Sequence, residues 1–172
     1  MNSKKAFLMG GLVFAATTGA FGKDIAYEQT GDPQGTCSSI PASLCNYQGP
    51  PVKVTETDTY NDATPKILTM VREYAEGKGF KTTESIPLNG PKSWTPVTCY
   101  VIDPSTLSPI GNNCGPNDSV VKVMQAGVYN SDGTITITEH GELLLSKKVN
   151  PQFPEGGSMV YTVNVKYMPS QQ

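Results

Sequence analysis

The side chains of this sequence best placed to do chemistry are its four cysteines, Cys37, Cys45, Cys99 and Cys114. An even count reads as two disulfides in an exported chain, with a zinc site as the rival. Zinc favours short ligand spacings and histidine partners. There is no C-x-x-C here, and His140 is the single histidine. The cysteines are therefore expected to be staples. Of the three connectivities, the nearest-neighbour pairing, Cys37–Cys45 with Cys99–Cys114, is favoured because both intervening segments are rich in turn formers. No metal and no other cofactor is expected.

Catalytic constellations are scarce. A catalytic histidine needs a nucleophile or an orienting acid beside it. His140 lies among Glu139, Gly141 and Glu142, a pattern that predicts an exposed hairpin tip. There is no G-x-S-x-G elbow, no H-E-x-x-H and no phosphate-cradling glycine loop. Gly77-Lys78-Gly79 reads as the end of a helix, whereas phosphates bind at helix N-termini. Asn130, Asp132 and Thr134 alternate as calcium ligands can, but a turn explains them with fewer demands. Acid pairs occur at Asp58/Asp62 and Glu139/Glu142, both in polar stretches. A hydrolase built on paired carboxylates would draw on Asp103, Asp118 or Glu142.

Binding features are better represented. Trp94, the only tryptophan, stands between Pro91 and Pro96, either as a core residue or as an exposed anchor. Between Cys99 and Cys114 the tip Ser105–Ile110 carries Leu107 and Ile110 in a Pro-containing stretch. Closed by a disulfide, such a loop is preorganised for recognition. The alternative is a stapled connection that packs Leu107 and Ile110 inward.

Residues 1–22 set the compartment. Lys4 and Lys5 precede an apolar run from Ala6 to Ala16, and Ala20-Phe21-Gly22 supplies small residues where a signal peptidase reads. This is the layout of a cleaved secretory signal. The run is shorter than the roughly 20 residues needed to span a bilayer. Cleavage would leave one β-rich domain over residues 23–172, soluble, with eleven Lys and Arg against fifteen Asp and Glu. That balance, without a basic cluster, argues against nucleic acid and anionic lipid. Asn117-Asp118-Ser119 is an acceptor sequon for glycosylation.

The elements that must position these residues are mostly strands. Residues 23–51 are punctuated by Gly and Pro and read as irregular, apart from a possible short strand near 24–29. Alternation predicts strands at 52–57, 81–88, 94–103, 120–129, 134–139, 142–149 and 159–168, with a long loop over 104–119. Asn130-Ser131-Asp132-Gly133 predicts one turn and His140-Gly141 another. One amphipathic helix is expected, capped by Thr64, begun by Pro65 and ended by Gly77 and Gly79. Ile67, Met70, Val71, Tyr74 and Ala75 form its apolar stripe. The expected class is α+β: a mainly antiparallel sheet, meander or sandwich, with that helix and two disulfides.

These observations point to an exported, non-enzymatic module that binds a protein partner, such as a pilus- or surface-associated component or an adhesin-like protein. The alternating C-terminal strand is compatible with assembly by strand addition. An extracytoplasmic hydrolase and an inhibitor of a secreted enzyme are the alternatives. No feature sets an oligomeric state.

Overall fold

Strand-forming alternation is realised more widely than the sequence suggests. The computed structural model describes residues 22–75, 79–88, 93–147 and 149–171. The expected signal segment lies outside the described residues except for Gly22. Nine strands occur among them: β1 (Asp24–Ile40), β2 (Val54–Asn61), β3 (Ile67–Tyr74), β4 (Phe80–Pro87), β5 (Thr98–Ile102), β6 (Pro109–Gly111), β7 (Val120–Tyr129), β8 (Ile135–Leu145) and β9 (Gly157–Pro169). They form one sheet in the order β4-β3-β2-β1-β9-β8-β7-β5-β6, antiparallel throughout. The sheet curls until β4 returns against β7 and β6.

The fold is thus mainly antiparallel β-sheet with two disulfides, but the expected amphipathic helix is absent. The described residues contain no α-helix, only a 3-10 turn at Ala42–Asn46. The heart of the supposed helix is β3. Its stripe fits both periods, because Leu68, Met70 and Arg72 also alternate with Ile67, Thr69 and Val71. Three β-branched residues on one face favour the strand. All eight residues are laddered to β2 on one side and β4 on the other. An isolated helix of that length is marginal in water, so the pairing wins. Gly79 keeps its left-handed conformation (φ +66°), now in the β3–β4 connection. Gly77 and Lys78 lie outside the described residues.

Two further expectations are corrected. The segment after residue 23 is not irregular. β1 runs through it, and the Gly31-Asp32-Pro33 interruption is taken up by a register shift between Thr30 and Gln34. His140-Gly141 is not a turn. β8 passes straight through, pairing His140 with Met124 on β7 and Thr162 on β9.

The interior has two apolar clusters. One gathers Tyr27, Tyr60, Leu68, Met70, Ile86, Ile135, Ile137 and Tyr167. The other gathers Leu44, Tyr100, Ile102, Val121, Val123, Leu143, Leu145 and Phe153. Gly127 allows close packing in the first: a Cβ there would meet Leu88, Ile137 and Ile86.

Both disulfides form, Cys37–Cys45 and Cys99–Cys114, the nearest-neighbour pairs. The first ties the end of β1 to the 3-10 turn that buries Leu44. The second closes a separation of 15 residues around β6. Such a closure is worth about 3 kcal/mol in the chain-entropy account. Cys99→Ser/Cys114→Ser should therefore lower unfolding stability by about 2–4 kcal/mol. Hydrogen exchange should accelerate over 103–113 and stay unchanged in β8 and β9. Equal acceleration across the whole sheet would refute this local role.

Candidate functional site

Along β8 the inward positions read Ile135, Ile137, Glu139, Gly141, Leu143, Leu145. The four aliphatic ones are almost wholly buried, and the acid stands between them. Neighbouring strands repeat the pattern. Arg72 follows Leu68 and Met70 on β3, Glu84 precedes Ile86 on β4, and Gln125 follows Val121 and Val123 on β7. On β2, Glu56 and Asp58 precede Tyr60. A polar belt therefore crosses the interior between the two apolar clusters.

Its members are closely connected. Arg72 faces Glu56 with two nitrogens, Nε at 3.3 Å from Oε2 and Nη2 at 3.3 Å from Oε1. The Tyr167 hydroxyl donates to the same Glu56 Oε1 at 3.3 Å. Arg72 Nη1 lies 3.7 Å from Glu84 Oε2. Tyr100 donates its hydroxyl to Glu84 Oε1 at 3.2 Å, and Tyr161 donates to Glu139 Oε1 at 2.9 Å. The Gln125 amide nitrogen donates to both acids, to Glu84 Oε2 at 2.7 Å and Glu139 Oε2 at 2.9 Å. Both neighbours only accept when ionised, so the amide must present its NH2 end.

Tyr161 reaches Glu139 because of Gly141. The two residues are register partners on β9 and β8, and a Cβ at position 141 would run into the Tyr161 ring. Glycine inside a strand here marks close packing rather than a turn.

Burial and charge shift the belt's protonation. Burial disfavours the Arg72 cation, but the Glu56 and Glu84 carboxyls outweigh it and raise its pKa. Burial pushes Glu84 upward, and Glu139 adds to this, while Gln125, Arg72 and Tyr100 pull it back. The Tyr100 and Tyr161 hydroxyls are held protonated well above their ordinary range, by burial first and then by the acids they serve. Asp58 is 5% exposed, and its Oδ1 has no hydrogen-bond partner among the described residues. Burial, then the neighbouring Glu56, raises its pKa to about 7, against the pull of Arg72.

Beside the belt lies a cavity of about 300 Å³. Arg72, Glu84, Glu139 and three tyrosine rings, Tyr74, Tyr100 and Tyr161, line its polar part. Val121, Val123, Leu143 and Met159 line its apolar part. Leu107-Ser108-Pro109 lines a further side. That segment is anchored. Tyr47 donates to the Ser105 carbonyl at 2.7 Å, and the buried Asn150 donates to the Pro104 carbonyl at 2.7 Å. Leu107 sits in the left-handed region (φ +59°), uncommon for a branched side chain, and packs against the second cluster.

Most of the residues singled out from sequence fall elsewhere. Trp94 and Ile110 are 41% and 48% exposed. Leu107 reaches the cavity, as does Glu139, which the sequence offers as one of an acid pair. Asp103 caps its own turn, accepting from Ser105 and Thr106, and the Ser105 hydroxyl leads in lowering its pKa. Asp118 accepts from the Gly115 N–H, and Glu142 points away from Glu139 across the pleat of β8. Asp103 and Asp118 lie one residue beyond the bond from the Ile102 N–H to the Ser119 carbonyl, and each serves its own turn. His140 is held mid-strand, its Nδ1 3.0 Å from the Thr162 hydroxyl. Among the described residues no group of His, Cys, Asp and Glu is arranged to hold a metal ion. No helix among them is long and apolar enough to cross a membrane.

Sequence reasoning names Glu139 but sets it in a polar stretch, and it misses Arg72, Glu84, Gln125, Tyr100 and Tyr161. For Glu84, Gln125 and Glu139 the signal is an acid or amide occupying an inward slot of an alternating strand. Ile135-x-Ile137-x-Glu139 is the clearest instance. Comparison with protein families, with curated proteins and with solved structures yields no match.

Two outcomes test this geometry. Gly141→Ala should cost about 1–3 kcal/mol by overpacking, and should alter the near-ultraviolet tyrosine dichroism as Tyr161 leaves Glu139. Unchanged stability and dichroism would contradict the close approach. The second concerns Asp58. Its raised pKa means that the folded state prefers the neutral acid. That stability is complete below the ordinary carboxyl range and is lost as pH climbs through about 7. Asp58→Asn should match wild type near pH 4 and exceed it near pH 8 by on the order of 2–4 kcal/mol. Parallel stability curves in thermal or urea unfolding would refute the shift.

Proposed function

We propose that this chain is an exported, non-enzymatic binding protein that takes a small ligand inside the curled sheet. The observation that carries the reading is the 300 Å³ cavity, with converging polar groups at one part and aliphatic side chains at another. That is the usual make-up of a small-molecule site, and the volume falls at the lower end of the usual range. Export to the periplasm, the cell surface or the medium agrees with the two disulfides, which persist in oxidising compartments. A non-catalytic role agrees with the state of the two cavity acids. Each carboxylate oxygen of Glu84 and Glu139 already accepts a hydrogen bond from a fixed tyrosine or amide.

A protein partner is the second reading. It is supported by the exposed apolar side chains of Trp94, Val97 and Ile110, and by β6, which ends the strand order among the described residues. Pilus-like or adhesin-like assembly belongs to this reading.

One titration separates the two. The neutral fluorophore N-phenyl-1-naphthylamine should bind saturably, with its emission enhanced. Val123→Trp, which fills the cavity, should weaken it at least about tenfold, or 1.4 kcal/mol. Trp94→Ala with Ile110→Asp should leave the affinity unchanged. Non-saturable binding, or loss of affinity in the surface variant alone, would overturn the cavity reading in favour of the surface one.

A further inference from the structure

The charges around the cavity do not cancel. Two carboxylates, Glu84 and Glu139, line it with one guanidinium, Arg72, and a third, Glu56, pairs with Arg72 from outside the lining. Arg72 is committed chiefly to Glu56, which it meets through two nitrogens, and reaches Glu84 at 3.7 Å. Glu139 has neutral hydrogen-bond donors only, the Tyr161 hydroxyl and the Gln125 amide, and forms no salt bridge among the described residues. A partly buried carboxylate without a counter-ion is a costly arrangement, and a cation placed beside it recovers that cost. Tyrosine rings at positions 74, 100 and 161 share the lining, and their faces attract cations too.

We infer that the cavity selects a small organic cation, an ammonium or guanidinium group on a compact apolar body. The charged group would sit between Glu139 and Glu84, and the body against the aliphatic part. This inference rests on the cavity being the binding site. It adds the sign of the ligand, which the cavity's shape alone leaves open. An anion would instead need Arg72, whose charge is already engaged by Glu56. The volume sets the size of the body. A 150 Å³ apolar cavity holds benzene, so about 300 Å³ suits one ring with a short aminoalkyl arm or two small rings.

Three ligands of similar shape and different charge provide the test: phenethylammonium, 2-phenylethanol and 3-phenylpropionate. Each displaces N-phenyl-1-naphthylamine from the purified protein, or is followed by calorimetry. The expected order is cation, then neutral, then anion, with the cation favoured at least about tenfold over the alcohol. Glu139→Gln keeps an acceptor for Tyr161 and should abolish that preference, bringing cation and alcohol to within about twofold of each other. The wild-type ranking decides the matter even if the variant folds poorly. Equal binding of cation and alcohol, or a preference for the carboxylate, overturns the inference and leaves the cavity reading standing. The inference likewise fails if the fluorophore binds and none of the three displaces it. If the fluorophore itself does not bind, the cavity reading fails first.

Discussion

Glu84 is where this sheet closes on itself. β4 stands at one end of the strand order and comes back over β7 and β6, yet no backbone ladder joins it to them among the described residues. The seam is carried by side chains. Tyr100 on β5 and Gln125 on β7 both donate to Glu84, and Phe80 at the head of β4 meets the Tyr100 ring edge-on at 6.2 Å. Charge-assisted hydrogen bonds are stronger than neutral ones, so one buried carboxylate can anchor a junction that the backbone leaves open. It also makes the junction conditional, since protonating or removing that acid loosens both strands at once. Every other feature of the interior, the cavity included, presupposes that β4 stays in place.

Such an anchor is expensive compared with the alternatives. Filling the belt with aliphatic side chains of similar volume would often be neutral or stabilising, because charged groups lose hydration on burial. The belt instead satisfies its charges by crossing donors from four strands. Arg72 comes from β3, Tyr100 from β5, Gln125 from β7, and Tyr161 and Tyr167 from β9. Networks of this kind stabilise only when complete, which ties the register of many strands to one geometry. Among the described residues its irregularities are the Asp58 Oδ1 without a hydrogen-bond partner and the Glu139 carboxyl without a salt bridge.

Much of the sheet was visible in alternation. β7 coincides with the expected strand, β4 and β9 lie within a residue or two of it, and Gly133 adopts the positive φ expected in its turn (+81°). The misreadings share a cause, in that local residue types compete with long-range pairing. Ile67–Tyr74 satisfies a helical and a strand period together, and only the two flanking strands decide between them. Gly31-Asp32-Pro33 reads locally as a loop, yet β9 accepts it as an irregularity within one strand. Gly141 reads as a turn beside a polar histidine, whereas its real role is to make room for Tyr161. That last error hid the site. Ending the strand at Glu139 put this acid on a solvated tip, when continuation through Gly141 places it inside.

The staples bear on the site as well as on stability. Cys99 stands on β5 one residue before Tyr100, whose hydroxyl holds Glu84. Cys114 lies just past β6, and the loop between them carries Leu107 to the cavity. The closure thus fixes a seam residue and a lining residue in one covalent ring. Tyr47, which follows the Cys37–Cys45 staple by two residues, holds the same loop from the other side through the Ser105 carbonyl. Leu107 can then be kept in a backbone conformation that costs about 1–2 kcal/mol, because the anchors around it leave few alternatives. A loop meant to adapt to a large partner would gain little from such restraint. One that must hold a fixed wall against a small cavity gains from every tether, and the disulfides are better understood as part of the cavity's architecture than as compensation for a small core.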